Sequence, residues 1–175
     1  MVTRFNSIVT KILTDNTSGA SELAEQAIQA IKVFAENLSG ENASKAIRTL
    51  DSAFSNISNL RPAMASIENW CKMFVVLFQK EIKKGTSYKR AAHVAQKQII
   101  TLRGEIEVKL LENMDRGLGK FNSFLTLSWS SAIGKFLIKK TGKKIKIFIM
   151  ESRPLGEGQK LAKLLNDKKI NVRLI

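Results

Sequence analysis

The hydrophobic pattern of this 175-residue chain changes its period near Gly119, and this change constrains the fold more than any other feature. Up to residue 118, apolar residues recur at steps of three and four, which is typical of amphipathic helices. After Gly119, short apolar runs alternate with short helical stretches, which is typical of parallel βαβ units. The sequence therefore predicts an α + α/β protein. An amino-terminal helical domain (residues 1–118) is followed by the first βαβαβ part of a Rossmann-like parallel sheet (residues 119–175).

Five helices are predicted in the first 118 residues. Ser21 is expected to cap the second helix, and Pro62 is expected to lie in the first turn of the fourth. The fifth helix is long and should end at Gly117 and Gly119. Its buried face is predicted from apolar residues at steps of three and four, which are Ala91, Ala95, Ile99, Leu102, Ile106 and Leu110.

Three short apolar runs predict the strands, at residues 124–127, 145–150 and 171–175. The first two runs are almost continuously apolar, and we expect both strands to be buried. The helices between them are predicted at residues 130–140 and 158–166. A three-stranded sheet closed by Ile175 would expose a hydrophobic edge. We therefore expect either a longer natural protein or a partner chain that covers this edge.

Composition narrows the classes of site that the chain can build. Cys71 is the only cysteine and His93 the only histidine, so one chain forms neither a disulfide framework nor a cysteine or histidine zinc cage. No apolar stretch is long enough to cross a bilayer, and the amino terminus lacks the pattern of a signal peptide. We expect a cytoplasmic protein with no membrane contact, no cofactor and no metal.

The formal net charge of +14 is concentrated in residues 61 to 175, which hold 24 Lys and Arg against nine Asp and Glu. Such an excess favours anionic partners, because a positive field attracts and steers them. Nucleic acid, phosphorylated small molecules and an acidic protein all meet this condition. A lysine-rich surface is also typical of proteins from hot environments, in which case the charge identifies no partner.

Polar residues follow the carboxyl end of the first predicted strand. In open parallel sheets, ligands bind at the carboxyl ends of the strands. Ser130 and Ser131 belong to a hydroxyl-rich turn that leads directly into a helix. Backbone amides and hydroxyls at such a turn suit a phosphate, while simple helix capping explains the same serines.

Charged residues follow the second predicted strand. Glu151 and Arg153 are expected to lie at the same edge of the sheet. An arginine can bind a phosphate with two parallel hydrogen bonds. The alternative is a structural ion pair in which Glu151 holds Arg153.

The segment Glu151-Ser152-Arg153-Pro154, followed by Gly158 and Leu161-Ala162, carries a family resemblance. It resembles the family that joins the alpha, beta and delta subunits of translation initiation factor 2B to ribose-1,5-bisphosphate isomerase and methylthioribose-1-phosphate isomerase. Other segments agree in order, and the resemblance spans essentially the whole chain. These segments are Ser18-Gly19-Ala20, Arg61-Pro62, Phe124-Leu125-Thr126 and Ser130-Ser131.

The resemblance implies a sugar-phosphate pocket between a helical and a Rossmann-like domain, and assembly into homo- or hetero-oligomers. The ligand-binding residues that it suggests are Gly19, Ala20, Arg61, Ser130, Ser131, Glu151 and Arg153. Ser128 occupies the position of the catalytic cysteine of the isomerases, and their catalytic aspartate would lie beyond Ile175.

Three functional interpretations follow from these residues. The first is a non-catalytic initiation factor 2B-like protein, which the resemblance implies would bind initiation factor 2, through its alpha subunit, and a sugar phosphate or nucleotide. The second is a ribose-1,5-bisphosphate or methylthioribose-1-phosphate isomerase, or a fragment of one. The third is an unrelated basic helical protein that binds RNA.

Overall fold

A computed structural model of the protein describes residues 2–38, 42–140 and 145–175. In these ranges the predicted fold class is confirmed, because a group of helices is followed by alternating strands and helices. The helices are α1 (Val2–Thr14), α2 (Ala20–Glu36), α3 (Ala43–Asn59), α4 (Ala65–Lys83), α5 (Tyr88–Leu118), α6 (Ser131–Lys139) and α7 (Glu157–Asp167). The strands are β1 (Ser123–Leu127), β2 (Lys146–Met150) and β3 (Arg173–Leu174).

The chain divides into two compact units, residues 1–103 and residues 104–175. We call them the helical unit and the α/β unit. Because the division falls within α5, this helix contributes residues to both units. The expected domain boundary at residue 118 stays a prediction.

Helix α2 is the centre of the helical unit and packs against α1, α3 and α4. Its sequence is rich in alanine, and small side chains let neighbouring helices approach closely. Larger residues from the surrounding helices fill the remaining space. The fully buried large side chains of this core include Ile12, Leu23, Ile31, Leu50, Ile57, Ile67, Phe74, Phe78 and Ile99.

Two helix starts differ from their predictions. Helix α2 begins after Gly19 rather than Ser21, because Glu22 accepts a hydrogen bond from the Gly19 N–H at 3.3 Å. Helix α4 begins at Ala65, so Pro62 lies in the preceding turn and not in the first turn of the helix.

The predicted buried face of α5 is correct only in its first half. Ala91, Ala95 and Ile99 are fully buried, whereas Ile106 and Leu110 are nearly half exposed. The helices that cover the first half belong to the helical unit, which ends at Arg103. The predicted end of α5 is confirmed, because the helix ends at Leu118, between Gly117 and Gly119.

The α/β unit holds a parallel sheet in the order β1-β2-β3. Ile147 and Ile149 of β2 point to one face of the sheet, and helices α6 and α7 both pack there. Phe136, Leu137, Leu161 and Leu165 are the large buried side chains that these helices contribute.

The opposite face of the sheet is largely open within the described residues. Leu125 and Leu127 are 64% and 66% exposed, so β1 is buried on one side only. The expectation of a fully buried β1 is therefore wrong. Both helical connections lie on the Ile147 side, which leaves the other side without a covering layer in residues 104–175.

A buried lysine joins the end of α6 to the end of α5. Lys140 is 2% exposed, and its Nζ lies 3.0 Å from the Gly119 carbonyl oxygen and 2.8 Å from Asp115 Oδ1. The ammonium group also lies 5.3 Å from the centre of the Phe136 ring. A buried charge is tolerated because these groups compensate its loss of hydration.

We expect Lys140→Met to lower the free energy of unfolding by roughly 1–3 kcal/mol, because it leaves the Gly119 carbonyl without its donor. Urea denaturation followed by circular dichroism measures this change. Lys139→Met is the matched control, since Lys139 is exposed on the same helix. Equal stability of the two variants would contradict a stabilising role for Lys140.

Candidate ligand site at the strand ends

The carboxyl ends of β1 and β2 lie side by side, because the register pairs Leu127 with Met150. Residues 128–130 and 151–156 therefore begin at the same edge of the sheet. The Ser128 N–H donates to Ser152 Oγ at 2.7 Å, and this hydroxyl donates to the Met150 carbonyl oxygen at 3.2 Å. We call these two loops and the first turn of α7 the strand-end rim.

Three residues of the strand-end rim adopt left-handed backbone conformations. The φ angles are 55° at Ser128, 62° at Ser152 and 62° at Gly156. Glycine adopts this region readily, whereas a serine there costs free energy that the surrounding contacts must offset. Such residues are enriched at ligand sites and active sites, so the backbone points to a functional role for the rim.

Sequence reasoning missed one residue of the rim, Glu157. Its carboxylate Oε2 accepts a hydrogen bond from the Ser128 hydroxyl. Glu157 is the first residue of α7, which starts after Gly156. The available signal was an acidic residue at the start of a helix that follows the neighbouring parallel strand, because such a residue reaches the same edge of the sheet.

Glu151 is held by two donors at the rim. Arg153 Nε and Gln159 Nε2 both lie 2.5 Å from its carboxylate oxygens. The hydrogen bond from Arg153, followed by that from Gln159, lowers the pKa of Glu151. The Arg153 side chain is 84% exposed, so this ion pair leaves most of the guanidinium in solvent.

Ser130 and Ser131 lie at the start of α6. The Ser130 side chain caps the helix by accepting from the Ile133 N–H at 3.4 Å, and Ser131 is the first helical residue. Ser130 therefore caps α6, as the alternative to phosphate binding predicted. A role for either serine in binding a ligand stays a prediction.

Gly19 and Ala20 begin α2, directly after a loop organised by Asp15. Asp15 Oδ1 accepts from the Thr17 and Ser18 N–H groups, both at 2.9 Å. Hydrogen bonds from Ser18, followed by that from the Thr17 amide, hold the pKa of Asp15 far below its usual range.

Arg61 binds the end of α1. Its Nη2 lies 2.9 Å from the Leu13 carbonyl oxygen and 2.8 Å from that of Asp15. The same nitrogen lies 3.1 Å from Asn16 Oδ1, and Nε lies 3.3 Å from the Ile12 carbonyl oxygen. The guanidinium therefore satisfies carbonyl groups that a helix terminus leaves without partners.

The seven predicted ligand-binding residues fall into two groups. Gly19, Ala20 and Arg61 belong to the helical unit, where Arg61 contacts the loop that precedes Gly19. The other four belong to the α/β unit and are Ser130, Ser131, Glu151 and Arg153. A sugar-phosphate pocket that joins the two groups stays a prediction.

Two observations concern metal and thiol chemistry. Across residues 2–38, 42–140 and 145–175, no three His, Cys, Asp or Glu side chains cluster in a way that could hold a metal ion. Cys71 is buried, and burial raises the pKa of its thiol to about 12. The Cys71 thiol therefore stays protonated near neutral pH and is a poor nucleophile.

None of the helices in the described part of the chain has both the length and the apolar character needed to cross a bilayer.

The fold and the rim define a class of protein in which a helical unit precedes a parallel α/β unit with polar loops at its strand ends. Residues 16–175 match the model of the family described as "Initiation factor 2 subunit family". The chain belongs to this family. The family resemblance expected from the sequence is confirmed.

A curated relative from Pyrococcus furiosus carries the description translation initiation factor eIF-2B subunit 2-like. It is 27% identical over 172 residues, which is 96% of this chain and 57% of the relative. The chain thus spans less than two thirds of the length of this relative.

Solved structures show the same fold at low sequence identity. Translation initiation factor eIF-2B of Pyrococcus horikoshii OT3 has a TM-score of 0.81 and 22% identity, covering 98% of this chain and 59% of that one. The tetrameric eIF2B-beta2-delta2 complex of C. thermophilum has a TM-score of 0.71 and 14% identity, covering 98% of this chain and 59% of that one. The 5-methylthioribose 1-phosphate isomerase of P. horikoshii OT3 has a TM-score of 0.70 and 15% identity, covering 98% of this chain and 51% of that one.

The rim depends on a close approach at Gly158. A Cβ atom at this position would lie 1.9 Å from the Met150 carbonyl oxygen, and the Gly158 N–H donates to the Glu151 carbonyl oxygen at 3.0 Å. We expect Gly158→Ala to lower the free energy of unfolding by roughly 1–3 kcal/mol, because β2 and α7 must separate. Thermal and urea denaturation measure this loss.

Gly117→Ala provides the control for this substitution. Gly117 lies in α5 with open space around its Cβ position, so alanine should stabilise the helix by up to about 1 kcal/mol. If Gly158→Ala were as stable as Gly117→Ala, the close approach would not constrain the rim.

Proposed function

We propose that this chain is an initiation factor 2B-like protein that binds initiation factor 2, through its alpha subunit, and does not catalyse an isomerisation. The observation that carries the proposal is the Ser128–Glu157 hydrogen bond at the strand-end rim. The family resemblance assigns the position of Ser128 to the catalytic cysteine of the isomerases. Membership of the initiation factor 2 subunit family supports the translational role.

The chemistry of the rim supports a non-catalytic role. A serine hydroxyl needs an adjacent base to act as a nucleophile, and histidine is the usual partner. The only histidine of the chain is His93, which belongs to the helical unit. The Ser128 hydroxyl instead donates to the Glu157 carboxylate, and the Ser128 N–H donates to the Ser152 hydroxyl oxygen. Both hydrogen bonds hold the loops of the rim together.

The charge distribution supports a partner with an acidic surface. Lys89, Arg90 and Lys97 are exposed on α5, and the chain carries a formal net charge of +14. A positive surface accelerates encounter with an acidic partner and makes the association sensitive to salt. A role in translation initiation would place the protein in the cytoplasm.

Assembly into homo- or hetero-oligomers is part of the proposal. The C. thermophilum relative is described as a tetrameric complex of beta and delta subunits. The open face of β1, where Leu125 and Leu127 are exposed, supplies apolar surface that an additional layer of protein would cover.

A sugar phosphate or nucleotide is the proposed ligand of the candidate site. Arg153 would bind the phosphate, and Glu151 would orient the guanidinium through the ion pair already present. Ser130, Ser131 and the start of α2 at Gly19 and Ala20 would supply hydroxyl and amide donors. Arg61 would act by holding the loop before α2 in place.

The second candidate is a sugar-phosphate isomerase or a fragment of one. The structural similarity to 5-methylthioribose 1-phosphate isomerase favours it, with a TM-score of 0.70. General acid–base chemistry at the rim would then use Ser128 and Glu157, because the Ser128 hydroxyl donates to the Glu157 carboxylate.

We expect the purified chain to bind initiation factor 2 and to convert neither ribose 1,5-bisphosphate nor methylthioribose 1-phosphate. Surface plasmon resonance at several salt concentrations measures the first property, and a coupled ketose assay measures the second. Aldose-to-ketose conversion that disappears in Ser128→Ala would contradict the non-catalytic role. Absence of binding to initiation factor 2 would contradict the translational role.

We expect Arg153→Ala to weaken the binding of sugar phosphates by about tenfold, because a charge-assisted hydrogen bond to phosphate is lost. Isothermal titration calorimetry with ribose 5-phosphate as the probe measures the change. Arg116→Ala is the matched control, since Arg116 is an exposed arginine of the same unit. Equal affinities of the two variants would remove Arg153 from the site.

A further inference from the structure

The amino-terminal edge of the parallel sheet, opposite the strand-end rim, is strongly basic. We define the basic edge as residues 119–122, 139–140, 145–146 and 167–170, and it shares no residue with the strand-end rim. The carboxylate within these ranges is that of Asp167. Five lysines of the basic edge are exposed, and these are Lys120, Lys139, Lys146, Lys168 and Lys169.

Hydrogen bonds and topology bring these four segments to one edge. The Lys146 N–H donates to the Asn122 carbonyl oxygen at 2.8 Å, so the start of β2 lies beside the loop before β1. Lys140 Nζ lies 3.0 Å from the Gly119 carbonyl oxygen, so the end of α6 lies at the same loop. Because β3 is parallel to β2, α7 must return the chain to the amino-terminal edge. The 11 residues of α7 and the five of β2 both span about 16 Å, so the end of α7 is level with the start of β2.

Lys169 adopts a backbone conformation that favours glycine. Its φ angle is 59°, and it directly follows the C-cap of α7, where glycine is the usual residue. Its N–H donates to the Asn166 carbonyl oxygen at 2.8 Å, which closes the last turn of the helix. Any side chain at this position costs free energy relative to glycine. The lysine therefore indicates a role for its charge that local backbone preference does not explain.

An exposed aromatic side chain lies among these lysines. Phe121 is 49% exposed, and the Lys120 ammonium group lies 5.3 Å from the centre of its ring. Cations alone fit any polyanion, including an acidic protein. An exposed ring beside cations fits a nucleobase next to its phosphate, because bases stack on aromatic rings and lysines neutralise phosphates. Bases inside a duplex cannot stack on a side chain, so the ring favours a single strand.

We propose that the basic edge binds single-stranded nucleic acid, with one base stacked on Phe121 and the neighbouring phosphates on the surrounding lysines. Cations near the ends of α6 and α7 also complement the helix dipoles. That explanation does not extend to Lys120 and Lys146, which lie before β1 and at the start of β2. Lysines contact phosphates without reading bases, so we expect binding that depends little on sequence.

The first test measures stacking on the full chain. Fluorescence anisotropy follows the binding of labelled oligo-U and oligo-dT strands of about 12 nucleotides, which is within the usual range of site sizes. Phe121→Leu should weaken binding about tenfold, whereas Phe121→Trp should retain it, because an aromatic ring stacks on a base and leucine does not. The strand that binds more tightly identifies RNA or DNA as the partner.

The second test separates a binding role of Lys169 from a structural one. Lys169→Gly removes a cation and relieves the left-handed conformation, so it should weaken binding about threefold and yet raise the Tm. The slope of log affinity against log salt should become shallower by about 0.7. Lys72→Ala is the matched control, because Lys72 is an exposed lysine of α4 in the helical unit. Its affinity and salt slope should equal those of the unaltered chain.

Several results would overturn the inference. These are no binding of either strand at low salt, equal affinities of Phe121→Leu and Phe121→Trp, and equal affinities of Lys169→Gly and Lys72→Ala. Tighter binding of a duplex than of a single strand would also contradict stacking on Phe121. If polyglutamate displaced the strand more effectively than unlabelled strand of equal charge, the basic edge would instead fit an acidic protein. None of these results depends on initiation factor 2 or on a ligand at the strand-end rim.

Discussion

The parallel pairing of β1 with β2 is the constraint on which the candidate site depends. Its register brings Leu127 beside Met150, so two loops that are distant in the sequence begin at one edge of the sheet. The hydrogen bonds from Ser128 to Ser152 and Glu157 are then within reach. The close approach of α7 to β2 at Gly158 completes the rim, because any side chain there would meet the Met150 carbonyl group. Sheet register, loop conformation and helix position are therefore one connected arrangement.

Features that depend on neighbours in the sequence could be predicted, and those that depend on distant partners could not. Helical periodicity predicts the five helices of the first 118 residues, and Ser130 caps α6 at the predicted position. The contact between Ser128 and Glu157 joins residues 29 positions apart, so the pairing of the two parallel strands could indicate it, whereas a pattern among neighbouring residues could not. Arg61 reaches α1 over 46 to 49 positions, and its sequence context gave no indication that its donors bind the end of that helix.

The exposed face of β1 shows a limit of hydrophobic pattern as a guide to burial. A continuous apolar run is typical of a strand that is covered on both sides, and the run around Leu125 and Leu127 meets that description. In residues 104–175, however, α6 and α7 occupy the same face. The apolar sequence of β1 thus indicates that a layer should cover each face of the sheet. The topology determines which face is covered by helices within residues 104–175.

Net charge and local charge lead to different expectations for ligand recognition in this protein. The chain is strongly basic, yet the strand-end rim carries Glu151 and Glu157 beside Arg153. Both carboxylates are engaged, one by Arg153 and Gln159 and the other by Ser128, so neither is a bare negative charge facing a ligand. An anion at the rim would therefore depend on directed donors rather than on the field of the whole molecule. The field of the surface lysines acts at longer range, whereas any small molecule at the rim would depend on the positions of individual hydrogen-bond donors.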